Sequence, residues 1–321
     1  MKHAAGFDIG TSGLKGVILD ESGRTVAAAT HPWAIDLPRP GWFEQNPEVW
    51  WTGFIDVARQ LLSSAPPPDV IGLSGQMHGP VFLDAEGAVL SRAILWNDQR
   101  TADECAEIER LTGGRVAEWT LNPPRTAFTS TKLLWVQRHW PDVYARTSAV
   151  LLPKDFVRFR LSGQHATDMT DAAGTGLFDV RNRTWSSPTL AALGIRPAWL
   201  PIAFESTDVT GHVDQDGAAA TGLKAGTPIV AGAADQTAAG IGIGIVSSGM
   251  MSINIGTSGV IFAQIDDIVT ESEGVFHTFC HAMPETWQLM AGVQSAGGTF
   301  QWYCDTVGTP ETSAAREAGA D

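Results

Sequence analysis

One pentapeptide constrains this chain more than any other feature. Ile9-Gly10-Thr11-Ser12-Gly13 recurs letter for letter as Ile255-Gly256-Thr257-Ser258-Gly259. The first copy lies between Gly6-Phe7-Asp8 and Val17-Ile18-Leu19; the second lies between Met251-Ser252-Ile253-Asn254 and Val260-Ile261-Phe262-Ala263. Apolar stretches flanking a glycine-rich turn read as a β-hairpin. Glycine reaches φ > 0 without penalty, so the backbone N–H groups of such a turn can converge on an anion. Thr11 and Ser12 add hydroxyl donors, and Lys15 adds a positive charge. Asp8, beside the first turn, is placed to organise a magnesium ion through water, because Mg²⁺ keeps part of its hydration shell. A single copy is equally well explained as a surface hairpin with a structural Asp. Two copies in the same setting point instead to duplicated domains that face each other across a cleft, each presenting a phosphate loop.

The length of 321 residues allows two domains with cores of their own. Apolar residues make up 44% and charged residues 17%, a globular balance. The net charge of −14 argues against a general binder of nucleic acid or of membrane surfaces. An anionic substrate therefore needs a local nest or a metal ion. Cys105, Cys280 and Cys304 form no Cys-x-x-Cys pair, which suggests reduced thiols and a cytoplasmic setting. Met1-Lys2-His3-Ala4-Ala5 runs directly into a strand, so no leader is expected, and no run approaches the roughly 18 apolar residues of a membrane helix.

Asn46 is a plausible N-cap, followed by Pro47 and Glu48, and Trp50, Trp51, Phe54, Val57, Ala58, Leu61 and Leu62 supply a helical apolar stripe. Residues 70–74 read as a buried strand. At its exit stands Gly75-Gln76-Met77-His78-Gly79, where open α/β sheets bind ligands. His78 in isolation reads as a satisfied structural histidine. Residues 93–95 form a second short strand before Trp96-Asn97-Asp98-Gln99-Arg100. Asn97, Asp98 and Arg100 are candidates for sugar hydroxyls and Trp96 for an apolar sugar face; the alternative is that Asp98 and Arg100 pair with each other. Hairpins are expected at residues 81–87 and around Asp214-Gln215-Asp216-Gly217, and helices at 103–111, from Lys132 to a stop at Pro141, and at 186–195. Residues 227–234 read as a buried strand ended by Asp235. Small residues follow Asp235, so a substrate can approach it; nearby helix N–H groups would keep it ionised, fit to accept a proton from an alcohol. A helix N-cap is its commoner role. Gly240-Ile241-Gly242-Ile243-Gly244 lacks the last glycine of a dinucleotide fingerprint, and His277, Cys280 and His281 read as packing residues.

Several of these segments occur together in one order: Asp8-Ile9-Gly10-Thr11-Ser12-Gly13, Gln76-Met77-His78-Gly79, Ile94-Leu95-Trp96-Asn97-Asp98, Lys132-Leu133-Leu134-Trp135-Val136-Gln137, Leu152-Pro153-Lys154-Asp155, Asp168-Met169-Thr170-Asp171-Ala172-Ala173-Gly174-Thr175 and Ile255-Gly256-Thr257-Ser258-Gly259-Val260. In this order they resemble the FGGY carbohydrate kinases, over nearly the whole chain. The resemblance implies an α/β protein of the ribonuclease H-like actin/hexokinase type, with two duplicated domains and a cleft between them. Residues 1–244 would be the sugar-binding N-terminal domain, and 245–321 the beginning of the ATP-binding C-terminal domain. Family members run well beyond this length and hold the adenine site in the remainder, so the second domain is expected to be incomplete here.

The resemblance also implies the chemistry: phosphorylation of D-xylulose at its terminal hydroxyl, with ATP and Mg²⁺. Asp235 would be the general base, and Asp8 the carboxylate near the metal. Met77 and His78 would contact the sugar, with Trp96, Asn97 and Asp98 beside them. Family kinases that act on glycerol carry an Arg-Glu pair where this chain has Met77-His78, which favours a pentulose. Gly10, Thr11, Ser12, Gly256, Thr257 and Gly297 would line the phosphate and nucleotide cleft, with Gln301 further out. Ala127 and Thr131 stand where relatives often have glycine and proline, which affects local loop shape. Other substrates of the family (ribulose, gluconate, a deoxy-sugar or glycerol), a sugar-binding fragment without turnover, and an actin-like filament former are the competing readings. The expected partners are the sugar and ATP, with a homodimer left open and neither nucleic acid nor membrane involved.

Overall fold

The structure is a computed structural model that describes residues 2–256, 259–270, 275–293, 295–307, 313–315 and 317–319. Its centre is a seven-stranded mixed sheet. β1 (His3–Ile9) pairs antiparallel with β2 (Gly13–Asp20), and β2 with β3 (Thr25–Pro32). On its other side β1 pairs in parallel with the strand Val70–Gly75, which in turn has Pro228–Val230 and Ala233–Ala234 parallel to it. Val209–His212 closes that edge antiparallel. An antiparallel meander followed by parallel strands fed through helices is the ribonuclease H-like arrangement expected from the sequence.

The parallel pairing of β1 with Val70–Gly75 requires a crossover, supplied by α1 (Pro47–Leu62). Its start follows the sequence signals: the Asn46 side chain accepts from Glu48 N, and Pro47 sits at the first helical position, where its missing N–H costs nothing. The stripe Trp50, Trp51, Phe54, Val57, Ala58 and Leu61 is buried against the sheet, and each large apolar side chain of it contributes about 1.5–3 kcal/mol on burial.

Two local expectations needed correction, and a third held. Residues 214–217 are not a hairpin: Asp214 accepts from Gly217 N at 2.7 Å and caps the helix Gln215–Thr221. Asx residues serve turns and caps alike, and only the helical residues that follow distinguish them. The helix expected to stop at Pro141 does so, running Thr129–His139, and Pro141 opens a further short helix, Pro141–Arg146. The expected strand 227–234 is broken in two at Gly232, whose φ is +74° and whose added Cβ would lie 1.9 Å from the Leu73 carbonyl oxygen. Only glycine fits that approach.

A second, four-stranded antiparallel sheet has the order Met251–Ile255, Gly259–Ile265, Trp287–Val293, His277–Cys280. It docks on the first domain through its last strand. Phe279 and Cys280 share a core with Met77, Phe128, Phe178 and Ala234, and Asn122 brackets Thr278 through both its amide atoms. His277 stacks on Phe279, and His281 lies against Phe262. Among the described residues no helix is long and apolar enough to cross a membrane.

Candidate active site

The register of the central sheet assembles the site. Ile9, Gly75 and Ala234 stand side by side on three parallel strands. The next residues, Gly10, Gln76 and Asp235, therefore leave the sheet at one level and on one edge. Three stretches selected from sequence, the 10–12 turn, the 76–78 turn and Asp235, thus meet at the carboxyl ends of parallel strands, where open α/β sheets bind ligands.

Asp235 is the first residue of the helix Asp235–Gly242 and is not its N-cap; that position belongs to Ala234. Its Oδ1 accepts from Gln236 N at 2.7 Å. Helix N–H groups were expected to keep it ionised. Instead burial dominates, and together with the charge of Asp8 it raises the Asp235 carboxyl to about 7 against that single hydrogen bond. The helix terminus is outweighed because desolvation penalises the charged form directly. Asp8 is also raised by burial, with Lys15 opposing, and its Oδ1 is buried without a partner among the described residues.

His78 has a backbone φ of +72°, rare for a residue with a side chain and strained by roughly 1–3 kcal/mol. The conformation is held from three sides. Nδ1 lies 2.7 Å from the Gly174 carbonyl, Thr129 Oγ1 donates to the His78 carbonyl at 3.0 Å, and Lys132 Nζ lies 3.3 Å from the same oxygen. A carbonyl only accepts, so Nδ1 carries the proton and Nε2 is left as an acceptor. Burial, with the charge of Lys132, lowers the ring to about 3, so it is neutral at physiological pH. Met77 is buried beside it. Both pack against Gly174, where a Cβ would meet Met77 Cε at 2.5 Å and His78 Cε1 at 2.9 Å.

Trp96 is 38% exposed and donates from Nε1 to Thr11 Oγ1 at 2.9 Å, which links the candidate sugar face to the candidate phosphate loop. Asn97 Oδ1 is buried without a partner among the described residues. Asp98 is different. It is fully buried, both its oxygens are engaged by Arg100 at 2.7 and 2.9 Å, and it accepts from Phe43 N and Arg100 N. The alternative of an Asp98–Arg100 pair is what the geometry supports. Arg100 also lies over the Trp42 ring and binds Glu44, so the pair braces the loop and is not directed at a ligand.

Of the second turn, Gly256 is exposed and its carbonyl accepts from Gly297 N at 3.0 Å, a contact too close for a Cβ at Gly297. Thr257 lies outside the described residues. Gln301 is exposed and donates to Asp305 one turn further along the helix Gly297–Thr306.

Sequence reasoning singled out Lys154-Asp155 and residues 168–171 without giving them a role. They form a fully buried ionic node. Lys154 Nζ lies 2.7 Å from both Asp155 and Asp168 and 3.2 Å from Asp171, and Arg158 binds Asp155 and the carbonyls of Ala166 and Ala231. Burial raises Asp171 well above the usual carboxylate range, and the three surrounding aspartates hold Lys154 charged. Thr170 Oγ1 donates to Asp168 and accepts from Ala234 N at 2.8 Å. The node therefore fixes the residue before Asp235 on one side and, through Gly174, His78 on the other.

A family model described as the N-terminal domain of the FGGY family of carbohydrate kinases matches residues 3–242. The chain belongs to the FGGY family of carbohydrate kinases. It is 41% identical over 306 residues to the xylulose kinase of Escherichia coli strain K12, covering 94% of this chain and 63% of that protein. It superposes on the crystal structure of xylulose kinase from Rhodospirillum rubrum with a TM-score of 0.93 at 28% identity, over 99% of this chain and 66% of that one. A gluconokinase from Bacillus licheniformis is 27% identical over 99% of this chain and 63% of that protein. The chain thus spans just under two thirds of the length of the curated relatives it matches.

Proposed function

We propose that this protein provides the sugar-binding half of an ATP-dependent ketopentose kinase, with D-xylulose phosphorylated at its terminal hydroxyl to the 5-phosphate. The observation that carries the proposal is a carboxyl group raised to about 7, Asp235, at the same strand edge as a neutral histidine acceptor and a glycine-rich turn. A base that titrates near working pH is well matched to take a proton from an alcohol.

His78 Nε2 accepts a hydrogen bond from a sugar hydroxyl, Asn97 adds an amide, and Trp96 and Met77 provide the apolar wall. Asp98 acts behind them. Asp235 receives the proton of the attacking hydroxyl, and the 10–12 turn receives the phosphates. The unpartnered Oδ1 of Asp8 fits a hydrated divalent cation. Magnesium, when bound, would neutralise charge developing on the transferred phosphoryl group. Gly256, Thr257 and Gly297 are assigned to the nucleotide side. Gln301, bonded along its own helix, has no support for that assignment beyond its position. The proposed division of the chain remains 1–244 and 245–321, with a cytoplasmic location.

Similarity to a gluconokinase keeps a sugar acid as the second substrate class. A coupled assay of ADP release by the complete kinase that contains this half, over xylulose, ribulose, gluconate and glycerol, tests the reading. Xylulose is expected to give the highest kcat/KM; a preference for gluconate or glycerol would overturn the substrate assignment.

A further inference from the structure

The turn at residues 10–12 is held from behind by a buried amide that takes no part in the chemistry described above. Gln45 lies on the short strand Glu44–Gln45 and is 1% exposed. Its Nε2 donates to Thr11 O at 2.7 Å and Ala34 O at 3.3 Å, and its Oε1 accepts from Trp50 Nε1 at 3.0 Å and Gln76 Nε2 at 3.1 Å. A primary amide has two donor hydrogens and two acceptor lone pairs, so all four sites are used. The assignment cannot be reversed, because a flipped amide would set two oxygens against each other at Thr11 and two donors against each other at Trp50.

The partners continue along the turn. Gln76 Nε2 lies 3.4 Å from Gly10 O, Trp33 Nε1 donates to Thr11 O at 3.0 Å, and Trp33 N donates to Ser12 O at 3.1 Å. Three successive carbonyls, those of Gly10, Thr11 and Ser12, are thus drawn into the protein. In a trans peptide the C=O and the following N–H point in opposite directions. Fixing Gly10 O and Thr11 O inward therefore turns the N–H groups of Thr11 and Ser12 outward. Neither amide has a backbone acceptor among the described residues. Two successive outward amides without a backbone acceptor among the described residues are available to an anion.

We propose that Gln45 is a positioning residue for phosphoryl transfer. It sets the outward direction of the Thr11 and Ser12 amides. Through Gln76 it also fastens that turn to the Met77-His78 turn, so that the phosphate side and the sugar side are held as one rigid unit. The proposal rests on the kinase reading of the site.

The test compares Gln45→Met, which keeps the volume but loses all four bonds, with Trp50→Phe, which removes one bond from the same node and leaves both donors on Thr11 O. A purely structural node predicts parallel loss of Tm and activity in the two variants. In the complete kinase that contains this half, positioning predicts that Gln45→Met lowers kcat/KM for ATP by about tenfold to a hundredfold, the scale of misplaced catalytic geometry. Xylulose affinity then stays within about threefold, and Trp50→Phe stays close to wild type at a similar Tm. A second readout does not need turnover: ¹⁵N-resolved NMR with added pyrophosphate. The Thr11 and Ser12 amide resonances shift in the wild type and not in Gln45→Met. If Gln45→Met does not fold, Trp33→Phe removes the other donor to Thr11 O and is expected to weaken the same response. Unchanged ATP kinetics and pyrophosphate shifts in folded Gln45→Met overturn the proposal. A complete wild-type protein, nucleotide domain included, that phosphorylates no sugar yet shows the amide shifts overturns the kinase reading alone.

Discussion

Replacing Asp235 by Asn should make this chain more stable and, in the complete kinase proposed above, abolish turnover. Burial and the Asp8 charge raise the Asp235 carboxyl from 3.8 to about 7. The folded state therefore binds a proton that the unfolded chain has released, and stability falls as pH rises from about 4 to about 7. At 1.36 kcal/mol per pH unit the full displacement is worth at most about 4 kcal/mol. Asp235 is only partly buried, so solvent screening reduces this, and we expect a gain of about 1–3 kcal/mol for the Asp235→Asn variant at pH 8. At pH 4 the wild-type side chain is already protonated and the two proteins should melt together. The assay is urea denaturation of both proteins at the two pH values, where shifts of groups that do not interact with residue 235 cancel in the difference and relief of the repulsion on Asp8 adds to it. In turnover by the complete kinase proposed above, the wild type should lose activity on the acid side of about pH 7, roughly tenfold between pH 8 and pH 6 once saturating sugar is present. The substitution should lower kcat by about 10²–10⁴-fold and abolish that limb. An Asp235→Asn variant whose stability advantage over wild type is no larger at pH 8 than at pH 4, or that retains the acid limb, would refute the assignment of the buried charge.

Three further substitutions separate binding from support. Gly174→Ala places a methyl 2.5 Å from Met77 Cε and 2.9 Å from His78 Cε1; the affinity for xylulose, measured calorimetrically, should fall by about tenfold and stability by about 1–3 kcal/mol, since a flexible Met tip yields while the held histidine must move. Lys154→Met leaves three aspartates buried around no lysine; it should lose about 3–5 kcal/mol at pH 7 and recover part of this below about pH 5, and equal loss at both pH values would contradict the ionic account. Asp98→Asn should reduce stability through Arg100 while the folded protein binds sugar normally, whereas Asn97→Ala should weaken sugar binding without affecting stability; calorimetry and thermal melts on both variants check the contrast.

Much of this site was legible because its parts are local. The 10–12 turn, the 76–78 turn and Asp235 each end an apolar strand, and a polar residue at a strand exit is visible in one dimension. The Asn46-Pro47 helix start was equally local. What escaped the sequence are relations between distant segments. Gln45 reads as the approach to a helix; its role depends on Thr11 and Gln76, 34 and 31 residues away. The charge state of Asp235 was misjudged because a helix terminus can be seen in sequence and desolvation cannot. Asp98 and Arg100 were given both readings, and only the depth of burial decides between them. The two-part strand at Gly232 depends on a contact with Leu73, which no periodicity records.

The central claim, that the shared edge of three parallel strands is a ketopentose site, is tested most directly by calorimetric titration of D-xylulose into this chain. Wild type and Asp235→Asn should both bind the sugar, and folded His78→Ala and Asn97→Ala should bind it at least about tenfold more weakly. Equal affinity in all four proteins, or no binding of xylulose by a folded wild type, would contradict it.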